Sequence, residues 1–237
     1  MKLSQPIHVL KRRARQRARE LGIPLHAALD DIARKEGFRT WSHLFAQASA
    51  PQVARDLFAQ LEPGDLILLA ARPQQGKTVL GMQLLVEALK AGRAASFFTL
   101  ELTEDAVRAW LAKAEPDARA IQRRLHIDTS EDITADHIIR TLAAADRDSL
   151  VVIDYLQLLD RHRGNPELGE QVAALRAFTM QRGLITVCLS QVNRTFERST
   201  RAVPTFADVR LPNPVNLQLF TKGCFLHEGR LRLDRAN

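Results

Sequence analysis

"LLAARPQQGKTVL", residues 68 to 80, is the stretch on which the fold turns. An apolar run stops at Ala71, Arg72-Pro73-Gln74-Gln75 intervene, and Gly76-Lys77-Thr78 then opens an amphipathic segment. A phosphate-binding loop has a glycine, about four residues, then Gly-Lys-Ser/Thr, set between a strand and a helix. Counting back from Gly76 puts Ala71 where the first glycine stands. In such a loop the backbone N–H groups and the helix N-terminus surround phosphate, the Lys77 ammonium reaches the β- and γ-phosphates, and the Thr78 hydroxyl ligates Mg²⁺. A chance Gly-Lys-Thr at a helix start is the competing account, and so short a motif does not by itself exclude it.

Outward from this loop, short apolar strands alternate with longer helical stripes, the pattern of an α/β domain with a mainly parallel central sheet flanked by helices. Strands are expected at 66–70, 96–100, 125–128, 150–154 and 185–190, and helices at 78–91, 103–114, 134–145 and 168–181. Residues 217–233 read as a hairpin turning at His227-Glu228-Gly229. The first part of the chain differs. Ile7, Leu10, Ala14, Ala18 and Leu21 fall at helical spacing with arginines on the other faces, Gly22-Ile23-Pro24 breaks that helix, and a second apolar stripe runs from Leu25 to Ala33. Thr40 stands as cap of a short third helix through Trp41, Leu44 and Phe45. The expected division is a small basic helical module at 1–48, a linker at 49–56 and the P-loop domain at 57–237.

Charge follows the same division. The net charge is +7, and residues 1–48 carry ten Lys and Arg against four acids, which leaves the rest of the chain close to neutral. Lys11, Arg12, Arg13 and Arg15 lie together on the first helix, and such clustering points to a polyanionic partner, nucleic acid first, with a solvated basic face as the plainer alternative. No run approaches the roughly 18 apolar residues of a membrane span, so a cytoplasmic chain without membrane contact is expected. Cys188 and Cys224 sit inside apolar runs and read as reduced core residues; the seven histidines form no ligand pair, which argues against a dedicated metal site.

Three further strand ends carry polar groups. Leu150 to Asp154 is an apolar strand ending in an acid, suited to holding Mg²⁺ beside a phosphate loop or merely to capping a turn. Phe97-Phe98-Thr99-Leu100-Glu101 ends in a carboxylate that either polarises an attacking water as general base or caps the next helix. Leu189-Ser190-Gln191-Val192-Asn193-Arg194 places Gln191 where it either contacts a γ-phosphate or simply starts a loop. In a parallel sheet these carboxyl ends converge on one crevice.

Taken together, "AARPQQGKT", "FFTLE", "VVIDYLQLL" and "LSQVNR" resemble the RecA-like motor domain of the DnaB-type replicative DNA helicases, over about Leu57 to Arg210. Loops of that family typically begin Ala-Arg-Pro in place of a glycine, and Asp-Tyr-Leu-Gln marks their magnesium-binding strand. The resemblance implies ATP and Mg²⁺ as cofactors and a helicase-like ATPase acting on DNA. It assigns Ala71, Arg72, Pro73, Gln74, Gln75, Gly76, Lys77 and Thr78 to the nucleotide, Thr78 and Asp154 to the metal, and Glu101, Lys77 and Gln191 to catalysis. It further implies a hexameric ring around single-stranded DNA, with loops after the Asp154 and Gln191 strands facing the strand; Arg163 and Arg194 are the candidate contacts there. The chain departs from the family pattern in its short basic N-terminal module, in Leu211-Pro212-Asn213-Pro214, and in lacking a recognisable arginine-finger segment. A nucleotide-binding, DNA-associated regulatory protein without unwinding activity is therefore the alternative function.

Overall fold

Continuous apolar strands are expected only where a sheet is covered on both faces, and Leu66–Ala71, Ala95–Thr99 and Leu150–Asp154 are covered in that way. The computed structural model describes residues 3–115, 122–131, 133–160, 165–211, 213, 215–228 and 230–235. Its strands are β1 (Leu66–Ala71), β2 (Ala95–Thr99), β3 (Leu125–Asp128), β4 (Leu150–Asp154), β5 (Ile185–Val192), β6 (Val209–Arg210), β7 (Lys222–His227) and β8 (Arg230–Arg235). Its α-helices are α1 (Ile7–Leu21), α2 (Leu25–Lys35), α3 (Trp41–Phe58), α4 (Lys77–Lys90), α5 (Glu104–Ala114), α6 (Ala135–Thr141) and α7 (Leu168–Arg182). The sheet order is β3-β2-β4-β5-β1-β7-β8, with β6 antiparallel to the end of β5 and β8 antiparallel to β7. All other pairings are parallel, so β1, β2, β4 and β5 end on one edge.

Every residue of β1, β2 and β4 is buried. On one face Ile67, Leu69, Phe97, Val152 and Leu189 pack against α3, α4 and α5; on the other Leu66, Leu68, Phe98, Val151 and Ile153 pack against α6 and α7. Cys188 and Cys224 are buried free thiols within these layers, and burial pushes the Cys188 thiol up to about 12. Among the described residues no helix is long and apolar enough to cross a membrane.

The approach of α4 to the sheet depends on Gly81. A β-carbon there would lie 3.1 Å from Leu189 Cδ1 and 3.2 Å from Val152 Cγ1, so the missing side chain lets the helix settle directly on β4 and β5. That closeness fixes the helix that begins at the phosphate loop.

The expected linker at 49–56 is helical instead. α3 runs unbroken through Pro51 to Phe58, and Ala50, Ala54 and Leu57 are buried. A proline inside a helix costs about 3 kcal/mol, but burying this face offsets it, and tertiary packing overrides the local signal. α3 lies alongside α4 in parallel: near their C-terminal ends Arg55 Nε is 3.8 Å from Glu87 Oε2, and the Arg93 guanidinium sits 5.1 Å from the Phe58 ring centre. The first half of α3 closes a separate cluster of Leu10, Ala14, Ala28, Ile32, Phe38, Trp41 and Leu44 with α1 and α2. One helix thus serves both modules. The C-terminal hairpin is shorter than expected, since Leu217–Leu219 forms a single 3₁₀ turn before β7.

Candidate functional site

The strand-to-helix turn after β1 forms the centre of the site. Ala71 is still strand, pairing with Gln191 of β5 and Leu226 of β7, and is fully buried. The turn reverses through Gln74 and Gly76, with φ of 65° and 86°, and α4 begins at Lys77. Positive φ is cheap for glycine and uncommon elsewhere, which accounts for Gly76 and marks Gln74 as a held conformation. The first N–H groups of α4 have no partner within the helix and point out of its N-terminus, the arrangement that binds phosphate.

The expected residues meet there. Arg72, Pro73, Gln74, Gly76, Lys77, Thr78, Glu101 and Gln191 line one cavity of about 330 Å³. Gln75 faces elsewhere, its Oε1 accepting the Glu228 N–H at 2.7 Å and tying the loop to the β7–β8 turn. Asp154 lies beneath, fully buried, and accepts a bond from Lys77 Nζ on Oδ1 at 2.8 Å. Asp154 Oδ2 is buried without a hydrogen-bond partner among the described residues. A buried carboxylate oxygen left open, with the Thr78 hydroxyl on the cavity wall, suits a Mg²⁺ ion that keeps waters and takes its remaining ligands from phosphate. Among the described residues there is no group of three or more His, Cys, Asp or Glu that could hold a metal ion by itself.

Electrostatics single out Glu101. Burial raises the Glu101 carboxyl above its ordinary value, the nearby Asp154 charge pushes it the same way, and Lys77 opposes both. Its side chain nonetheless reaches solvent, and its N–H donates to Thr99 Oγ1 at 3.1 Å, which anchors the turn that carries it. A carboxylate of raised proton affinity at a cavity wall is a better proton acceptor than an ordinary glutamate.

Arg72 stiffens the loop. Its Nη2 lies 2.6 Å from Glu197 Oε1 and its Nη1 donates to Val192 O at 3.1 Å, so the loop is clamped to the segment after β5. That bonding holds the Glu197 carboxyl below its ordinary range. Gln157, just after β4, donates from Nε2 to Ser190 Oγ at 3.1 Å and to Arg210 O at 2.7 Å, locking β4 to β5 and β6. Glu197 did not stand out in the sequence, and Gln157 did so only as the last residue of Asp-Tyr-Leu-Gln without this role, because both act over separations of more than thirty residues that leave no local pattern.

The candidate nucleic-acid residues lie apart from the cavity. Lys11, Arg12, Arg13 and Arg15 are on α1, where Arg12, Arg13 and Arg15 are exposed and Arg13 donates to Gln5 Oε1 at 3.2 Å. Arg194 is exposed at the start of the 3₁₀ turn Arg194–Arg198, with Nε 3.9 Å from Glu197 Oε2. Arg163 lies outside the described residues. Three residues not expected at the cavity also line it: Val79 on α4, Arg39 just before the cap of α3, and His43 in the first turn of α3.

Residues 109–213 match the DnaB-like helicase C terminal domain. The chain is 28% identical over 187 residues to "Replicative DNA helicase DnaB" of Pasteurella multocida (strain Pm70), a match covering 64% of this chain and 40% of that protein. It is likewise 28% identical over 181 residues to the "Probable plasmid replicative DNA helicase" of Chlamydia trachomatis, covering 63% of this chain and 40% of that one. The chain thus spans about 40% of the length of these relatives. Among solved structures it superposes on "The Structure Of A DnaB-Like Replicative Helicase And Its Interactions With Primase" with TM-score 0.58 at 18% identity, over 69% of this chain and 47% of that chain. On a KaiC-like protein from the hyperthermophilic archaeon Pyrococcus horikoshii the TM-score is 0.52 at 18% identity, over 70% of this chain and 75% of that chain.

Proposed function

From a RecA-like domain of the DnaB type as premise, we propose that this protein binds ATP with Mg²⁺ and hydrolyses it, coupling turnover to action on DNA. What carries the proposal is the meeting of Lys77, Thr78, Glu101 and Gln191 on one cavity above a buried, half-satisfied Asp154. Matching a single motif would mean little; four strand ends converging in this way supply phosphate, metal, base and sensor positions at once.

In this scheme Lys77 is the charge that neutralises the phosphates, and Asp154 holds it in place beforehand at 2.8 Å. Thr78 and Asp154 hold the metal, which when bound draws charge from the phosphate oxygens. Glu101, with its raised proton affinity, takes the proton of the attacking water. Gln191 stands beside Ala71 in the sheet register and one residue before Val192, whose carbonyl is bonded to Arg72. A change at Gln191 therefore reaches the turn bearing Arg194 through the Arg72 to Glu197 clamp, a short route from nucleotide to a candidate DNA contact. Single-stranded DNA as partner, the exposed arginines of α1 as a second phosphate-backbone surface, and a ring of like subunits belong to the same proposal.

The test is ATP turnover with and without single-stranded DNA. Stimulation by DNA, loss of nucleotide binding in Lys77→Ala, and retained binding with lost turnover in Glu101→Gln are expected. Turnover that survives Lys77→Ala sinks the proposal. Affinity for DNA should also fall with salt, by about 0.7 log units per log of salt for each phosphate contacted on a single strand.

A further inference from the structure

We infer that the nucleotide site is completed from within the same chain by the N-terminal module, with Arg39 supplying a cationic contact to the nucleotide phosphates. The inference rests on the ATP-binding proposal above.

Parallel packing of α3 on α4 sets both helix N-termini at one place, so the residue preceding the α3 cap arrives beside Gly76, Lys77 and Thr78 on the cavity wall. The backbone around Arg39 is firmly held. Thr40 caps α3 by accepting the His43 N–H at 3.2 Å, and the Trp41 N–H donates to Asp30 Oδ1 at 2.8 Å. Phe38 is buried and meets the His43 ring edge-on at 5.4 Å. The Arg39 side chain, by contrast, is exposed and makes no hydrogen bond or ion pair among the described residues. Of the cations on the cavity wall, Lys77 is paired with Asp154 and Arg72 with Glu197, which leaves Arg39 uncommitted.

A fixed backbone carrying an unspent guanidinium at a polyphosphate cavity is the arrangement of an arginine clamp, since the planar donor set matches phosphate oxygens and keeps its charge at any working pH. It also ties two modules together. A phosphate held by both α3 and α4 links nucleotide occupancy to the placement of α1, whose exposed arginines form the candidate DNA surface.

The experiment uses the full chain with Mg²⁺ and compares wild type with Arg39→Ala, Arg39→Lys and, as control, Arg34→Ala from an exposed position on α2 outside the cavity. Titration calorimetry with ATP should show Arg39→Ala weakened by roughly 10- to 100-fold, the worth of one charge-assisted contact, with Arg39→Lys intermediate and Arg34→Ala unchanged. Ligand-free melting temperatures should agree across the set, and ATP should slow hydrogen exchange over residues 36–44 in wild type but not in Arg39→Ala. Binding by Arg39→Ala within about twofold of wild type, while Lys77→Ala abolishes it, overturns this inference and leaves the ATPase proposal standing. Affinity losses that merely follow lowered ligand-free melting temperatures, in Ala and Lys variants alike, also overturn it. Failure of the wild type to bind ATP removes the ATPase proposal and this inference with it.

Discussion

Removing the Lys77 ammonium should damage the protein before any nucleotide is added. Asp154 is fully buried, Lys77 is 12% exposed at its side chain, and their 2.8 Å contact is the sole hydrogen bond the Asp154 carboxylate makes among the described residues. At an effective dielectric of about 20, opposite unit charges at that separation attract by about 6 kcal/mol, most of which offsets the cost of taking both out of water. Lys77→Ala cancels the attraction and leaves the burial of Asp154 uncompensated, so the loss should approach the roughly 3 to 5 kcal/mol of a broken buried pair. For a chain of this length that is a fall of roughly 6 to 20 °C in melting temperature. The double variant Lys77→Ala/Asp154→Asn removes the stranded charge as well and should regain most of the loss while still failing to bind ATP. Thermal and urea unfolding of the ligand-free proteins measure both. A Lys77→Ala melting temperature within about 2 °C of wild type, or a double variant no more stable than the single one, would refute the picture of a buried, lysine-dependent carboxylate.

Glu101→Gln gives a pH-dependent result. The raised Glu101 affinity means the folded protein keeps this proton to higher pH than the unfolded chain, so the group's contribution to stability declines as pH rises above 4.5 and does not return. The variant should therefore melt at a higher temperature than wild type at neutral pH and match it near pH 3.5, and equal melting at every pH would count against the raised affinity. At Gly81 two effects compete: Ala gains about 1 kcal/mol of helix propensity against contacts of 3.1 and 3.2 Å with side-chain methyls, whereas Val adds bulk with nowhere to go. Gly81→Ala should lie within about 1 kcal/mol of wild type in urea unfolding and Gly81→Val should lose about 1 to 3 kcal/mol. Lys222 Nζ lies 2.5 Å from Asp65 Oδ2 with both side chains buried, at the entry to β7, and Asp65 also accepts the Thr221 hydroxyl at 2.8 Å. Asp65→Ala should cost about 3 to 5 kcal/mol and speed hydrogen exchange in β7 and β8 first; uniform exchange across the sheet would contradict that.

Local chemistry made much of this legible. The five strands expected between 66 and 190 held within one or two residues, most of them because buried parallel strands are unbroken apolar runs, while Leu125–Asp128, which alternates buried and more exposed positions, fell where its flanking polar residues put it. Helix starts were legible where a threonine hydroxyl caps them: Thr40, Thr103 and Thr134 each accept the N–H three residues on, at 3.2, 3.3 and 3.2 Å. What escaped depends on partners distant in sequence. Pro51 announces a break that packing on α4 overrules, the Arg72 to Glu197 pair spans 125 residues, and Arg39 reaches the cavity only because α3 and α4 happen to lie parallel. Two-residue β6 is too short to leave any alternation at all.

The alanine that opens the phosphate loop is explained by the same geometry. A glycine is demanded only where φ is positive or where a β-carbon has no room, and Ala71 meets neither condition: it is the last residue of β1, paired on both sides and absent from the left-handed positions. The reversal has moved downstream to Gln74 and Gly76. With strand geometry extended to position 71, Arg72 leaves the sheet already pointing across β5, where Glu197 and the Val192 carbonyl receive it. Ala-Arg-Pro therefore trades loop freedom for a fixed link between the phosphate loop and the strand that carries Gln191. In the proposed ATPase that link has a use beyond stability. Lys77 and the Arg194 turn then belong to one braced unit, and Glu197→Ala, which removes the carboxylate end of the brace at a residue off the cavity wall and leaves the Val192 bond, should leave ATP binding intact while reducing the stimulation of turnover by single-stranded DNA. Stimulation undiminished in that variant would show that Arg72 only stiffens the loop.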